Sequence, residues 1–183
     1  MKTTFFFYNS SVKKERYYTT GQFSSKERPY HRNCGPTAIT NAILTLDPKE
    51  EDPKEIYEDV ARIGRRRLTY WNSDLFHLFG GTVDILTPSY LRKVFRKEGI
   101  EHARVLKRRV MKPERVLEAI TKGHLLYIQF RHHKKYGNHH VIAYGGYEEG
   151  DQFYVKIADG WKASPSYIPL SELGRGYIIE IIP

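Results

Sequence analysis

A single cysteine at the mouth of a helix constrains this chain more than any other feature. Asn33, Cys34, Gly35 and Pro36 open a run in which Ala38, Ile39, Ala42, Ile43 and Leu46 recur at helical spacing. Pro36 suits a first helical turn, where its missing N–H costs nothing and its φ is already helical. The run therefore predicts a helix over 34–46. Asp47 and Pro48 stop it, because the residue before proline avoids helical angles. Cys34 then sits at the helix N-terminus, where unpaired N–H groups and the positive end of the dipole favour an anion. A thiol there is expected to ionise more easily, and the thiolate is the nucleophilic form. Free cysteines are also common as small buried hydrophobes, but that reading leaves the Gly-Pro helix start unexplained. A nucleophilic thiol needs a base, and the base needs something to orient it.

The rest of the chain reads as one α+β domain over residues 1–183, long enough to enclose a core. Phe5 to Tyr8 reads as a strand, and the remainder of 1–33 as a wrapping loop. Helices follow at 53–63 (Ile56, Tyr57, Val60 and Ile63 inward), at 88–98 and from Pro113 to Thr121. Residues 68–86 fit no period, although Trp71, Phe76, Leu78 and Phe79 make them a candidate wall for a substrate cleft and Gly80-Gly81 marks a turn. Residues 103–110 look extended. From Gly123 onward the pattern becomes β: strands at 125–130, 139–147, 152–158 and 176–182, the middle two joined by a turn through 148–151 and so antiparallel. Helices first and strands second argue for α+β over alternating α/β.

One cysteine cannot form an intrachain disulfide, so a cytoplasmic setting is the simplest reading. No apolar run approaches the ~20 residues of a membrane helix, and Met1 to Tyr8 turns polar too soon for a signal peptide. Thirty Lys and Arg against 21 Asp and Glu give a net charge of +9, which biases encounters toward acidic partners. Arg65, Arg66 and Arg67 beside Tyr70 and Trp71 could touch nucleic acid. A solvated helix end explains them better, and nucleic acid is not the expected partner.

Histidines supply the candidate bases. His132, His133, His139 and His140 lie within one short stretch, but adjacent pairs on a strand diverge, so no metal site and no cofactor are expected. His139 and His140 open a predicted strand, and alternation allows one of them to face the cleft. If strands 139–147 and 152–158 pair across their turn, Asp159 lies near the same end as His139. There it could accept the imidazole N–H and hold the other ring nitrogen toward the thiol.

Asn-Cys-Gly-Pro-Thr-Ala at 33–38 resembles the nucleophile segment of papain-like cysteine peptidases, and is closest to the bacterial branch similar to peptidases that clip double-glycine leader peptides. Residues 138–147, Asn-His-His-Val-Ile-Ala-Tyr-Gly-Gly-Tyr, resemble that superfamily's histidine strand. Asp159, Gly160 and Trp161 resemble its Asn/Asp-x-Trp segment. The three matches come in the family's order across residues 33–161. The resemblance implies a papain-like fold, with the nucleophile helix in an N-terminal helical half packed on a C-terminal antiparallel sheet. It assigns Cys34 as nucleophile, Asp159 as orienting residue, and His139 as base, since Val141 and Gly145 follow it at the family spacing. His140, which fits only the Gly146-Tyr147 pair, is the alternative base. The family places an oxyanion-binding Gln six residues before the cysteine. That position here is Arg28, and Gln22 stands twelve before, so Gln22 takes the role only if a longer loop delivers it.

The expected activity is hydrolysis of a peptide bond in a peptide or protein substrate, through a thioester on Cys34. The same residues would serve a papain-like acyltransferase. A non-catalytic basic binding domain on the same scaffold is the third reading, carried by the displaced Gln and the Arg/Lys clusters.

Overall fold

The computed structural model describes residues 5–8, 14–24, 32–47, 52–71 and 81–183. Arg28, Pro48 and the stretch holding Phe76, Leu78, Phe79 and Gly80 lie outside the described residues.

The expected helices and strands form within a few residues of their predicted bounds. In chain order they are β1 (Phe5–Tyr8), α1 (Cys34–Leu46), α2 (Pro53–Arg66), β2 (Tyr70–Trp71), β3 (Gly81–Thr82), α3 (Thr87–Lys97), β4 (Arg104–Val105), β5 (Arg109–Val110), α4 (Pro113–Thr121), β6 (Leu125–His133), β7 (Gly137–Glu149), β8 (Gln152–Ala158), β9 (Ser166–Pro169) and β10 (Arg175–Ile182). All four helices carry proline in their first turn, at Pro36, Pro53, Pro88 and Pro113, where a missing N–H is no loss. Asp52 adds a side-chain cap to the N–H of Lys54.

The strands build one antiparallel sheet in the order β4-β10-β6-β7-β8-β9. β1 pairs with β7 at 145–148, in line with β6, which takes 137–143 of the same strand. β5 pairs with β10 beyond β4. The sheet is therefore not purely C-terminal, as the sequence led one to expect. β1, β4 and β5 come from the first two thirds of the chain, and within the stretch that fits no period Tyr70–Trp71 and Gly81–Thr82 pair as a separate β2-β3 ribbon.

Alternation along the central strands sorts side chains into two cores. Leu125, Tyr127, Ile142 and Tyr144 join Ala38, Ile39, Ala42 and Ile43 of α1 and the inner faces of α2 and α3. Leu126, Ile128, Val141 and Ala143 join Val116, Ala119 and Ile120 of α4 on the other face. α1 crosses the sheet over β7, and this places its first residue at the end of β7 where the histidines lie. Arg65, Arg66 and Arg67 are the exposed end of α2. Tyr70 is buried in the core and offers no surface for stacking. Among the described residues, no helix is long and apolar enough to cross a membrane.

Candidate active site

Cys34 begins α1, as predicted, and its helix has no side-chain cap. Asn33 turns its amide to the carbonyl of Thr20 instead, at 3.1 Å. Pro36 contributes no N–H, so the donors left at this terminus are those of Cys34 and Gly35, and both reach the sulfur. The backbone N–H of His140 reaches it from the sheet. Gly35 is glycine for want of room. A Cβ there would lie 2.0 Å from Thr82 Oγ1 and 2.7 Å from Thr82 Cβ. β3 thus closes directly on the first turn of α1.

The expectation of an easily ionised thiol is not met. Burial pushes the Cys34 thiol up, the negative charge of Asp84 adds to this, and the three backbone donors offset only part of it. The residue itself is partly exposed.

A cleft of about 560 Å³ opens at this end of the sheet. Arg32, Cys34, Thr82, Asp84, Arg131, Asn138, His139 and His140 line it. Both histidines reach it, contrary to the expectation that alternation would admit one. They do leave β7 on opposite faces: His139 pairs across from Phe130, and His140 from Gln129. The cleft lies at the strand's end, where both faces are open to it.

The two imidazoles are held differently. His139 Nε2 lies 2.6 Å from the backbone oxygen of Asp159. A carbonyl can only accept, so Nε2 carries the proton and Nδ1 keeps its lone pair. Among the described residues Nδ1 has no hydrogen-bond partner. The ring stacks with Tyr136 at 5.9 Å and packs on Trp161 at 4.9 Å, although Trp161 is itself 52% exposed. Burial holds the His139 imidazole below its usual value, against the Asp159 carbonyl and carboxylate, which raise it.

His140 has both nitrogens engaged. Nε2 faces Asp84 Oδ1 at 3.0 Å and Nδ1 faces the Tyr127 hydroxyl at 2.8 Å. Asp84 also meets the guanidinium of Arg131 at 2.7 Å and that of Arg108 at 3.9 Å. Its carboxyl lies below the usual range because the pairing with His140, Arg131 and Arg108 outweighs the burial that opposes it. Gln129, fully buried, ties this cluster together. Its amide nitrogen donates to Thr87 Oγ1 and to the Asp84 carbonyl, and its oxygen accepts from Arg108.

Asp159 stands where the hairpin argument put it, but its carboxylate does not touch His139. Oδ1 accepts the N–H groups of Trp161 and Lys162, and Oδ2 accepts the Ser166 hydroxyl. The side chain is consumed in an Asx-type turn through Gly160 at φ +72°. The main-chain carbonyl is what meets the imidazole.

Gln22 lies on a single helical turn, Thr20–Phe23, whose Thr20 N–H bonds Gly160 O at 2.8 Å. The long loop does bring this turn beside the site. The Gln22 carbonyl is spent on the N–H of Thr19 at 2.7 Å, its amide nitrogen has no partner among the described residues, and Gln22 is not on the lining of the cleft.

Sequence reasoning missed Asp84, Tyr127 and Arg131. Asp84 sits in the stretch without a period. A usable signal did exist in Gln129: an uncharged polar residue inside a central apolar strand must find partners, and so points to a buried network. Among the described residues, no cluster of three or more His, Cys, Asp or Glu is placed to hold a metal ion. A scan against protein-family models finds no match for this chain, and a search of curated proteins finds none.

Proposed function

We propose that this chain is a cysteine peptidase of papain-like fold, with Cys34 as nucleophile and His139 as base. One observation carries the reading. His139 is held through Nε2 by a carbonyl, which leaves the basic Nδ1 uncommitted on the cleft that Cys34 also lines. His140, with both nitrogens bonded, has none to offer a thiol.

In the proposed reaction, Cys34 Sγ attacks the carbonyl carbon of a peptide bond as its proton passes to His139 Nδ1. The oxyanion faces the Cys34 N–H, and Gln22, which does not line the cleft, becomes a second donor only if the Thr20–Phe23 turn shifts toward it. Collapse breaks the C–N bond, His139 returns the proton to the leaving amine, and water then hydrolyses the thioester. With the thiol held high and the imidazole held low, proton transfer accompanies attack and no ion pair stands ready beforehand. The proposal carries a cytoplasmic location, where a lone thiol stays reduced.

The test is digestion of a peptide library by the original protein and by Cys34→Ala and His139→Ala, read by mass spectrometry. Cleavage lost in both variants supports the reading. Cleavage that survives Cys34→Ala overturns it, as does the absence of both cleavage and any thioester on Cys34. Adding a primary amine separates acyl transfer from hydrolysis, because transfer yields the amide in place of the acid.

A further inference from the structure

We propose that the cleft beside Cys34 contains a subsite for a carboxylate of the bound peptide, gripped by Arg131. This names a substrate class for the peptidase reading and rests on that reading for its catalytic meaning.

Arg131 is anchored on one side by a single ion pair. Its guanidinium lies 2.7 Å from Asp84 Oδ2. Even so, that oxygen receives no hydrogen bond of acceptable geometry. The contact is an ion pair through one guanidinium nitrogen, which leaves the other N–H groups for a second acceptor. Among the described residues its side chain donates no hydrogen bond, and it is 44% exposed on the cleft. A guanidinium presents a rigid fork of donors that matches a carboxylate in bidentate fashion. Arg108 makes the contrast. Its Nε donates to Gln129 Oε1 at 2.8 Å and its head lies 3.2 Å from the Tyr177 ring centroid, so it is committed inward.

The charge balance points the same way. Two guanidinium groups, Arg131 and Arg108, surround the one carboxylate of Asp84, which also takes the His140 Nε2. Asp84's side chain is only 9% exposed, so an incoming peptide meets Arg131 before it meets that carboxylate. Among the described residues Asp84 is the only acid on the lining. The net charge of +9 raises encounter with acidic peptides.

The carboxylate could be an Asp or Glu side chain or a free C-terminus. The experiment uses the Cys34→Ala protein, which needs no turnover, and three dansylated peptides read by fluorescence anisotropy: Ala-Ala-Ala-Glu-Ala-Ala-Ala-amide, its Gln twin, and the Gln twin with a free C-terminal carboxylate. At least one carboxylate-bearing peptide should bind about tenfold tighter than the neutral twin, as a charge-assisted hydrogen bond implies. Tighter binding of the Glu amide identifies a side chain as the source, and tighter binding of the free acid identifies the terminus. Arg131→Gln should abolish the preference and Arg131→Lys should keep part of it, while exposed Lys134→Gln leaves it intact. Equal binding of all three peptides overturns the proposal, as does a preference that survives Arg131→Gln or falls equally with Lys134→Gln. If the preference is found but no peptide is ever cleaved, the subsite stands and the peptidase reading fails.

Discussion

The pH dependence of Cys34 alkylation tests how the site activates its sulfur. A thiol at its ordinary value of 9.0 is about 1% thiolate at pH 7. Burial and the charge of Asp84 raise Cys34 above that, and the N–H groups of His140, Gly35 and Cys34 itself recover only part of the rise. The thiolate fraction at pH 7 is then below about 1%, and each further unit of pKa removes another factor of ten, or about 1.4 kcal/mol. Second-order rates with iodoacetamide, followed by intact mass from pH 5 to 10.5, should rise tenfold per pH unit through neutrality with no plateau near pH 6. His139→Ala should leave this profile nearly unchanged, because burial raises the thiol and lowers the imidazole and so disfavours a thiolate–imidazolium pair. The same substitution should cut peptide cleavage by about 10²–10⁴, the usual contribution of a positioned base. Asp84→Asn removes a charge that raises the thiol and should move the midpoint down. A labelling plateau below pH 6 that vanishes in His139→Ala would refute the reasoning and restore a preformed ion pair.

Three other outcomes follow from the same geometry. Asp159→Asn should keep most activity, since the group on His139 is a backbone carbonyl, whereas Asp159→Ala should cost about 2–4 kcal/mol in urea unfolding by stranding two N–H groups and the Ser166 hydroxyl; a ~10⁴-fold activity loss in the Asn variant would show the carboxylate acting directly. Gly35→Ala should destabilise by about 1–3 kcal/mol through collision with Thr82, and Thr82→Gly in the same chain should recover much of it, as a double-mutant unfolding cycle would read. Stability should fall in two steps on acidification. His139 lies low in the fold, so the unfolded chain takes up its proton first and stability drops as pH falls below about 6.5; Asp84 also lies low, so its contribution is present above about pH 4 and is lost as pH falls through its folded value. Urea titrations between pH 8 and 3 should show the upper step missing in His139→Gln and the lower one weakened in Asp84→Asn.

The framework of this fold was legible because its signals are local. Pro36, Pro53, Pro88 and Pro113 mark helix starts, and Asp47 and Gly99, at φ +74°, mark ends. The apolar run at Leu125 to Phe130 marks the strand at the sheet's centre. What stayed hidden was non-local. β9 is four residues with no alternation long enough to notice, and it forms because β8 offers it an edge. β2 and β3 are two residues each and depend on each other. The joining of β1 to β7 spans about 140 positions of sequence, and no periodicity reports such a distance.

The site divides along the same line, and the two adjacent histidines show why. The resemblance singled out His139 through Val141 and Gly145, yet nothing in that pattern distinguishes a ring with one nitrogen committed from a ring with both committed. The difference is made by Asp159's carbonyl on one side of β7 and by Asp84 and Tyr127 on the other. The three come from a turn, an aperiodic stretch and a strand, each remote from residue 140. Chemistry decides between the rings once those partners are known. A carboxylate accepts, so Asp84 makes His140 Nε2 the donor, and the Tyr127 hydroxyl occupies the remaining Nδ1. His140 thus becomes a strut, fixing the segment whose backbone N–H faces the Cys34 sulfur. Asp159 was expected to act through its side chain because sequence names side chains. The turn it closes instead aims a main-chain oxygen, an atom every residue has and no sequence pattern can single out. Which residues gather at the cleft could be read in part from the sequence; contacts made by backbone atoms and by remote partners needed the fold.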